Sequence, residues 1–371
     1  MPRASVLSFF TGAMGLDLGL QAAGLDVALG QELDTRAVET IRLNGHRVQP
    51  GDVRKLLDSD PGLEGFRRSA GIEGEPFAVV GGPPCQPFST AGHRRGVADE
   101  RGLLLFDYIR AVGELRPRFA ILENVKGLLS SKGRVDDTLL DEVREHFEQI
   151  GYQTTWGLVD AVNFGAPQFR ERLIVIASRD GEATFVPSPT HFQRHQDARY
   201  RWRTLGDAIE GIDEADPEFV QFSPRVLEVL KLVPEGGNWR SLPADVAEQA
   251  MGGAWKSGGG KVGFFRRLSR LEPSPTLVTS PIQKATMLAH PTELRPLSVR
   301  EYARVQGFPD DWQFSGTTSD KYKQIGNAVP VALGEALGLM LRAVAEGDAT
   351  VQTKRRPSKV VGDQPPLESV A

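Results

Sequence analysis

The single cysteine of this 371-residue chain, Cys85, lies in a segment whose residue types suit a reactive thiol. The apolar run at 77–80 predicts a buried strand. Two glycines end that strand, and two prolines then stiffen the turn that carries Cys85. Because open α/β sheets bind ligands where their strands end, the thiol is placed to act as a nucleophile. The alternative is an inert buried thiol, the usual state of a free cysteine.

A carboxylate and two arginines are placed where they could assist such a thiol. Glu123 closes an apolar strand and is expected to face the same crevice as Cys85. A thiolate with a carboxylic acid beside it suits covalent attack on an electron-poor ring. Arg170 and Arg172 directly precede another core strand, where they could hold a carbonyl oxygen or a phosphate. Glu123 could instead cap a helix or form a salt bridge, and the arginines could pair with Glu171.

A second group of residues is spaced for a nucleoside-containing cofactor. Phe10, Gly12 and Gly15 lie between the first predicted strand and a helix, where glycines let backbone N–H groups approach a ligand. Glu32 ends the second strand about twenty residues later, the usual place for a carboxylate that binds ribose hydroxyls. Asp52 follows the next strand and could accept a hydrogen bond from an adenine amino group. Each feature alone could be an ordinary turn or cap, but together they favour a nucleoside cofactor.

Composition and charge set wider limits. An apolar content of 40% and a charged content of 25% are ordinary for a globular protein. One cysteine excludes an intramolecular disulfide and any multi-cysteine zinc site. The net charge is −4, yet residues 255–304 hold nine Lys/Arg against three acids, a local charge of +6. That segment is either a phosphate-binding surface or a solvated basic face.

The first residues resemble a short signal peptide but do not fit one well. Arg3 precedes an apolar run at 4–16, but the run contains two glycines and stops at Asp17, which favours a strand, a turn and a helix. No stretch approaches the ~20 apolar residues of a membrane span. We therefore expect a cytoplasmic protein.

The elements that must position these groups alternate between strand and helix through the first half of the chain. The pattern predicts strands at 5–10, 27–31, 79–80, 119–122 and 173–177, and helices ending at 23, 43, 115 and 150. This alternation predicts an α/β fold with a doubly wound, mostly parallel sheet. The alternation of strands and helices stops at residues 184–292, which are predicted to form a smaller, irregular domain. After this region the sequence again predicts regular helices, one capped by Ser298 and a final one at 330–345.

The chemistry-bearing residues, taken together, resemble those of the bacterial DNA (cytosine-5) methyltransferases. The likeness covers most of residues 5–180 and 268–335, and its motifs occur in the family's order. They are residues 10–15, Glu32, Asp52, residues 83–86, 123–125 and 168–172, residues 295–298, 300–301, Arg304, residues 307–309 and 326–330. Two positions depart from the family pattern: Met14 stands where glycine is usual, and Ser8 stands where an acid is common.

The resemblance implies a methyl transfer from S-adenosylmethionine to C5 of a cytosine that is flipped out of duplex DNA, with no metal. By this likeness the Cys85 thiolate adds to C6, and Glu123 holds N3 and the amino group. Arg172 approaches O2, and Arg170 and Arg172 supply the field that favours the thiolate. The cofactor would contact the loop at 10–15, Glu32, Asp52 and Asn327. DNA contacts are expected from Gln86, Ser89, Arg94, Arg95, Lys256, Arg266 and Arg267.

The resemblance also implies an organisation and partners. We expect a Rossmann-like catalytic and cofactor-binding domain at 1–183, and a target-recognition domain and hinge at 184–317. The chain would return to the catalytic domain at 318–347, and 348–371 would be a disordered tail. A mobile lid is expected at 89–101. Double-stranded DNA is the expected partner of a monomer, either in a restriction-modification system or as an orphan methylase, without a stable complex with an endonuclease and without a membrane.

Three other functions share parts of this pattern. A dehydrogenase would also use Glu32 on a ribose, but it would not need the cysteine turn and its Glu123 partner. A catalytically silent DNA-binding regulator could keep the same scaffold, although the intact Cys85 and Glu123 pair argues against it. A tRNA cytosine methyltransferase would share the core, but its additional cysteine motif is absent because Cys85 is the only cysteine.

Overall fold

The structure is a computed structural model that describes residues 4–84, 100–131, 138–256 and 262–348. Seven strands form one sheet, with spatial order β3-β2-β1-β4-β5-β7-β6. The strands are β1 (Ser5–Phe9), β2 (Asp26–Glu32), β3 (Val48–Pro50), β4 (Ala78–Gly81), β5 (Phe119–Val125), β6 (Gln153–Asp160) and β7 (Glu171–Ser178). β1 to β5 pair in parallel, and β7 runs antiparallel to both β5 and β6. The predicted doubly wound, mostly parallel sheet is confirmed.

Helices cover both faces of this sheet. The α-helices of the described residues are α1 (Gly15–Ala22), α2 (Thr35–Leu43), α3 (Val53–Leu57), α4 (Gly62–Ser69), α5 (Glu100–Leu115), α6 (Leu139–Gln149), α7 (Leu205–Ile209), α8 (Pro224–Leu230), α9 (Ala244–Met251), α10 (Val299–Gln306), α11 (Thr318–Asn327) and α12 (Val331–Ala345). The predicted caps are present: Asp34 accepts from two N–H groups of α2, and Ser298 forms a capping box with Glu301.

One core lies on each face of the sheet. Side chains of α3 to α6, such as Phe66, Tyr108 and Phe147, cover one face. α1 and α12 cover the other face and pack closely, because a Cβ at Gly19 would lie 2.2 Å from the Val331 carbonyl oxygen. The last helix thus packs on the first, and the sheet carries apolar layers on both sides, as parallel sheets require.

The stretch Thr318–Ala345 is long enough to span a membrane, and 18 consecutive residues within it have a mean hydropathy of 1.6. The sequence was expected to contain no such stretch, so that expectation was too strong. The helix is broken between α11 and α12 by extended residues ahead of Val331, and α12 buries its apolar side chains in the core. Its hydropathy is explained by packing against α1.

Residues 184–317 hold short helices joined by long loops, around two small cores. One core gathers α8, α9, Phe265 and Met287. The other joins α7, α10 and α11 and includes Ala13 of the loop that follows β1. This second core therefore connects the irregular region to the cofactor loop predicted from the sequence.

Candidate active site

The carboxyl edge of the sheet brings Glu123 and Arg172 together. Arg172 Nε lies 2.6 Å from Glu123 Oε1, and each side chain is 12% exposed. Glu123 is at the end of β5, and Arg172 is at the start of β7. Because β7 is antiparallel to β5, its beginning meets the edge where the parallel strands end, and the two residues are diagonal neighbours across the pair. The pair fixes one carboxylate at the mouth of the crevice.

The exit of β4 lies directly beneath this carboxylate. A Cβ at Gly82 would be 2.9 Å from Glu123 Oε2, so a larger residue there would displace the carboxylate from its position over the strand exit. Asn124 Nδ2 donates to the Pro83 carbonyl at 3.1 Å and ties the two strand ends together. Cys85 lies outside the described residues. It follows Pro83 by two residues in the sequence.

The close approach of Gly82 to Glu123 is a feature of the site that the sequence did not predict. The two adjacent glycines, Gly81 and Gly82, were interpreted only as the end of a strand. In the structure each faces a different neighbour: a Cβ at Gly81 would be 2.8 Å from the Tyr108 ring, and one at Gly82 would meet Glu123. Tyr108 OH in turn donates to the carbonyls of Val79 and Ile121. The double glycine was the available signal, but its partners are distant in sequence.

The structure does not support the predicted catalytic role of Arg170. Its side chain is 2% exposed, and it donates to the Leu277 and Gly326 carbonyls at 2.8 and 2.7 Å. Burial lowers the pKa of this guanidinium to about 9. Through these hydrogen bonds Arg170 links the start of β7 to the irregular region and to the end of α11. It is therefore a positioning residue.

The loop between β1 and α1 is held in an unusual backbone conformation. Phe10, Gly12 and Met14 have positive φ values of 53°, 57° and 72°. A left-handed conformation costs a non-glycine residue roughly 1–2 kcal/mol. The departure at Met14 is therefore accommodated: the position does require φ > 0, and the buried methionine adopts it. Met14 also caps α1 without a side-chain hydrogen bond, which leaves the helix N-terminus open to a ligand.

Glu32 ties this loop to the end of β2. Its carboxylate accepts hydrogen bonds from the N–H groups of Gly12, Leu33 and Asp34, each at 2.7 Å. Burial nevertheless raises the pKa of Glu32 above its usual range. A carboxylate has about four acceptor sites, so one remains for a ribose hydroxyl. A Cβ at Gly12 would meet nothing within 4 Å, so open space lies beside this carboxylate.

Asp52 and Asn327 complete the predicted cofactor set. Asp52 caps α3 and forms an ion pair with Arg54 at 2.6 Å, and the Arg54 hydrogen bond holds the pKa of Asp52 below its usual range. Asn327 is exposed at the end of α11. A Cβ at Gly15 would be 2.2 Å from the Val329 carbonyl oxygen, so the segment after Asn327 lies against the cofactor loop. This set of residues fits a cofactor with an adenosine group.

A buried carboxyl group, Asp17, lies in the first turn of α1. It is fully buried, and neither carboxylate oxygen has a hydrogen-bond partner among the described residues. Burial raises the pKa of Asp17 to about 7, although the nearby Ser8 hydroxyl opposes the shift, and the charge of Glu32 adds to it. The folded protein therefore keeps a proton on Asp17 that the unfolded chain has lost.

Replacing Asp17 by Asn should remove a pH-dependent loss of stability. Between about pH 4 and pH 7 the folded state binds the extra proton, so wild-type stability falls as the pH rises through this window. The free energy of unfolding of Asp17→Asn, relative to wild type, should grow by about 4 kcal/mol across it. Urea unfolding at a series of pH values measures this. The exposed Asp213→Asn is the control, and parallel curves for wild type and Asp17→Asn would contradict the prediction.

The predicted DNA contacts divide into three groups. Gln86, Ser89, Arg94 and Arg95 lie outside the described residues, as does most of the predicted lid. Lys256 is exposed beside Trp255, whose ring packs edge-on to Trp239 at 5.5 Å. Arg266 is half-buried, and its Nε donates to the Met287 carbonyl.

Arg267 is a correction to the predicted DNA contacts. Its side chain is 6% exposed, and its guanidinium donates to the backbone carbonyls of Leu230, Val233, His290, Pro291 and Glu293. Arg267 therefore stabilises the core of the irregular region, and its guanidinium is not available to a phosphate. In the sequence Arg267 lies in a cation-rich segment, but the sequence does not reveal the backbone carbonyl groups that surround it in the fold.

The sheet order and the acid-anchored cofactor loop define a Rossmann-like methyltransferase fold. Residues 4–342 match the family model described as C-5 cytosine-specific DNA methylase. The chain is 40% identical over 339 residues to the type II methyltransferase M.Sau96I of Staphylococcus aureus, covering 91% of this chain and 75% of that protein. It is 40% identical over 350 residues to M.Eco47II of Escherichia coli, covering 90% and 78%.

Its backbone resembles a prophage-encoded protein of E. coli, with a TM-score of 0.65, 24% identity and coverage of 92% and 99%. The structural likeness confirms the fold, and the sequence matches decide the family. The chain belongs to the C-5 cytosine-specific DNA methylase family and is a DNA (cytosine-5) methyltransferase. The dehydrogenase alternative is therefore wrong.

Proposed function

We propose that this enzyme transfers a methyl group from S-adenosylmethionine to C5 of a cytosine within one specific duplex sequence. It does so through a covalent bond between Cys85 and C6, as the modification enzyme of a type II restriction-modification system or as an orphan methylase. The observation that supports this best is the Glu123 carboxylate, held by Arg172 over Gly82 at the exit of the strand that leads to Cys85.

The residues would divide the chemistry as follows. The Cys85 thiolate adds to C6 of the ring, and Glu123 offsets the negative charge that develops at N3 by holding or donating a proton there. Arg172 keeps that carboxylate oriented. Bound S-adenosylmethionine would supply an electrophilic methyl group to C5. Loss of the C5 proton and expulsion of the Cys85 thiolate then restore the aromatic ring and release the enzyme.

The thiol must approach perpendicular to the cytosine ring, so the base has to leave the duplex. Flipping costs a few kcal/mol, which contacts to the extruded base and the duplex must offset. The cluster of the half-buried Trp239 with the exposed Trp255 and Lys256 is the proposed place for base-edge contacts. We propose a monomer that acts in the cytoplasm and forms no stable complex with an endonuclease.

Bisulfite sequencing of plasmid DNA from cells that express the protein tests this function. We expect unconverted cytosines at every copy of one short sequence, and full conversion in plasmid from the same host without the gene. Complete conversion everywhere would refute the function and would favour the silent regulator. Methyl transfer to tRNA in preference to DNA, measured by competition, would favour the tRNA enzyme.

Asp52→Ala should weaken the binding of S-adenosylmethionine. The side chain stays ionised beside Arg54, and it is the proposed acceptor for the adenine amino group. Loss of one hydrogen bond to a charged group is worth about 1.5–3 kcal/mol, or roughly 10- to 150-fold in Kd. Isothermal titration measures this, and Asp58→Ala, which changes an exposed acid at the C-terminal end of α3, is the control. Equal affinities in the two variants would rule out the adenine contact.

A further inference from the structure

Residues 190–203, which we name the basic loop, concentrate positive charge on a surface outside the predicted DNA contacts. The loop holds four arginines, at 194, 199, 201 and 203, against one acid, Asp197, and it also holds two histidines. All four arginines are exposed. The loop lies between β7 and α7. Its charge therefore faces solvent.

The basic loop has a defined backbone. The Phe192 N–H donates to the Tyr200 carbonyl at 2.7 Å, and the Trp202 N–H donates to the Phe192 carbonyl at 2.9 Å. Asp197 caps a short 3-10 helix, Ala198–Tyr200, at the tip. Arg201 Nε donates to the His195 carbonyl at 2.7 Å. The arginines are thus presented from a preformed support, which reduces the entropy lost when they bind.

Aromatic rings are interleaved with these cations. Phe192 and Tyr200 remain 43% and 44% exposed, although each contacts the His195 ring. The Arg199 guanidinium lies over the Tyr200 ring, at 5.9 Å from its centroid. Exposed rings between arginines are the composition of surfaces that bind nucleic-acid backbones, where rings contact sugars or bases and cations contact phosphates.

The loop is anchored beside the catalytic crevice. Trp202 Nε1 donates to Asn163 Oδ1 at 3.0 Å, and the Trp202 ring packs edge-on to Phe169 at 5.4 Å. Phe169 precedes Arg172 by three residues, which span about 10 Å of extended chain. Arg172 in turn contacts Glu123. A duplex whose cytosine enters the crevice would therefore have its backbone close to the basic loop.

Two arginines of the loop are available to a ligand. Within the described part of the chain, neither Arg194 nor Arg203 has an ion pair or a hydrogen bond. Arg199, by contrast, pairs with Asp197 at 2.7 Å. Burial, and then the charge of Arg203, hold the pKa of His191 below its usual range. The positive charge of the loop therefore comes from its arginines and not from this histidine.

We propose that the basic loop is a phosphate-binding surface for duplex DNA beside the target cytosine, with Arg194 and Arg203 contacting phosphates and the Phe192 and Tyr200 rings covering adjoining sugars. The proposal rests on the proposed function, because the crevice receives DNA only if the enzyme methylates it. Phosphate contacts carry no base information, so the loop contributes affinity and orientation on every sequence.

The test compares R194Q/R203Q with wild type by fluorescence anisotropy on a short labelled duplex of mixed sequence, over a range of salt concentrations. Loss of two phosphate contacts should reduce the slope of log K against log[salt] by about 1.8, because each contact contributes about 0.9. We expect affinity to fall at least about 10-fold near 0.1 M salt. R194K/R203K keeps both charges and should retain most of the slope.

The matched control is R68Q/R116Q, which removes two arginines that are each 62% exposed. Arg116 precedes β5 and so lies at the opposite edge of the sheet from the site. A slope and an affinity that are unchanged in R194Q/R203Q would overturn the proposal and would favour an acidic protein as the partner of the loop. This binding measurement needs no turnover, so its outcome is independent of the bisulfite result. If cells that express the wild-type protein show no methylation, the proposed function alone is refuted.

Discussion

Cys85→Ser is expected to reduce methyl transfer by more than about 10⁴-fold, the loss typical of removing a covalent nucleophile. A thiol has a pKa near 8.5, so a few per cent is ionised at neutral pH without assistance. A serine hydroxyl is far less acidic, so it offers almost no anion for addition to C6. The substitution changes one atom and alters none of the proposed cofactor residues.

The measurement pairs turnover with cofactor binding and with trapping. Cys85→Ser should bind S-adenosylmethionine with a Kd within about 3-fold of wild type, which shows that the fold is intact. The wild type should form a covalent adduct at residue 85 on an oligonucleotide that carries 5-fluorocytosine in its recognition sequence, because fluorine replaces the proton that must leave C5. Residual turnover above the expected level, or wild type without an adduct, would contradict the nucleophile.

The fold was largely predictable because buried parallel strands are short apolar runs. The strands at the centre of the sheet fit this description: β4 is buried at all four residues. The sequence pattern did not predict β6, whose residues Thr154 to Leu158 are only partly buried. A half-exposed edge strand has no continuous apolar run, and its pairing with β7 is a property of the sheet as a whole.

The positions of the candidate site residues were predictable where a residue lies at the end of a parallel strand. Glu32, Asp52 and Glu123 follow that rule because parallel strands deliver their last residues to one edge. Arg170 did not follow it: two arginines separated by one residue look alike in sequence, yet their guanidinium groups have different partners. Arg172 faces Glu123, and Arg170 points into the core, where carbonyl groups satisfy it.

Charge counted along a segment was the least reliable guide. Part of the +6 of residues 255–304 is cancelled by acids outside that segment: Arg270 pairs with Glu235, Arg300 with Glu214, and Arg304 with Asp310. Such partners are set by tertiary structure, which a local sum does not see. The basic loop carries a smaller sum, but its arginines at 194 and 203 remain available.

Glu123→Gln is expected to lower the rate of methyl transfer by about 10²–10⁴-fold, the usual contribution of a positioned general acid or base. Glutamine has the same shape and can still contact the cytosine amino group, but it carries no ionisable proton for N3. DNA affinity should change much less than the rate, because most of it comes from phosphate contacts. Single-turnover kinetics and anisotropy on the same duplex measure the two effects.

The same substitution also leaves Arg172 without its counter-ion in a site where each partner is 12% exposed. Removing one member of a buried pair is destabilising, so part of the loss could come from a displaced arginine. Glu123→Gln combined with Arg172→Gln separates the two causes: it should recover thermal stability without recovering the rate. Glu171→Gln, an exposed acid of the same edge that pairs with Lys126, is the control. A double variant that regains the wild-type rate would show that Glu123 acts only by neutralising Arg172.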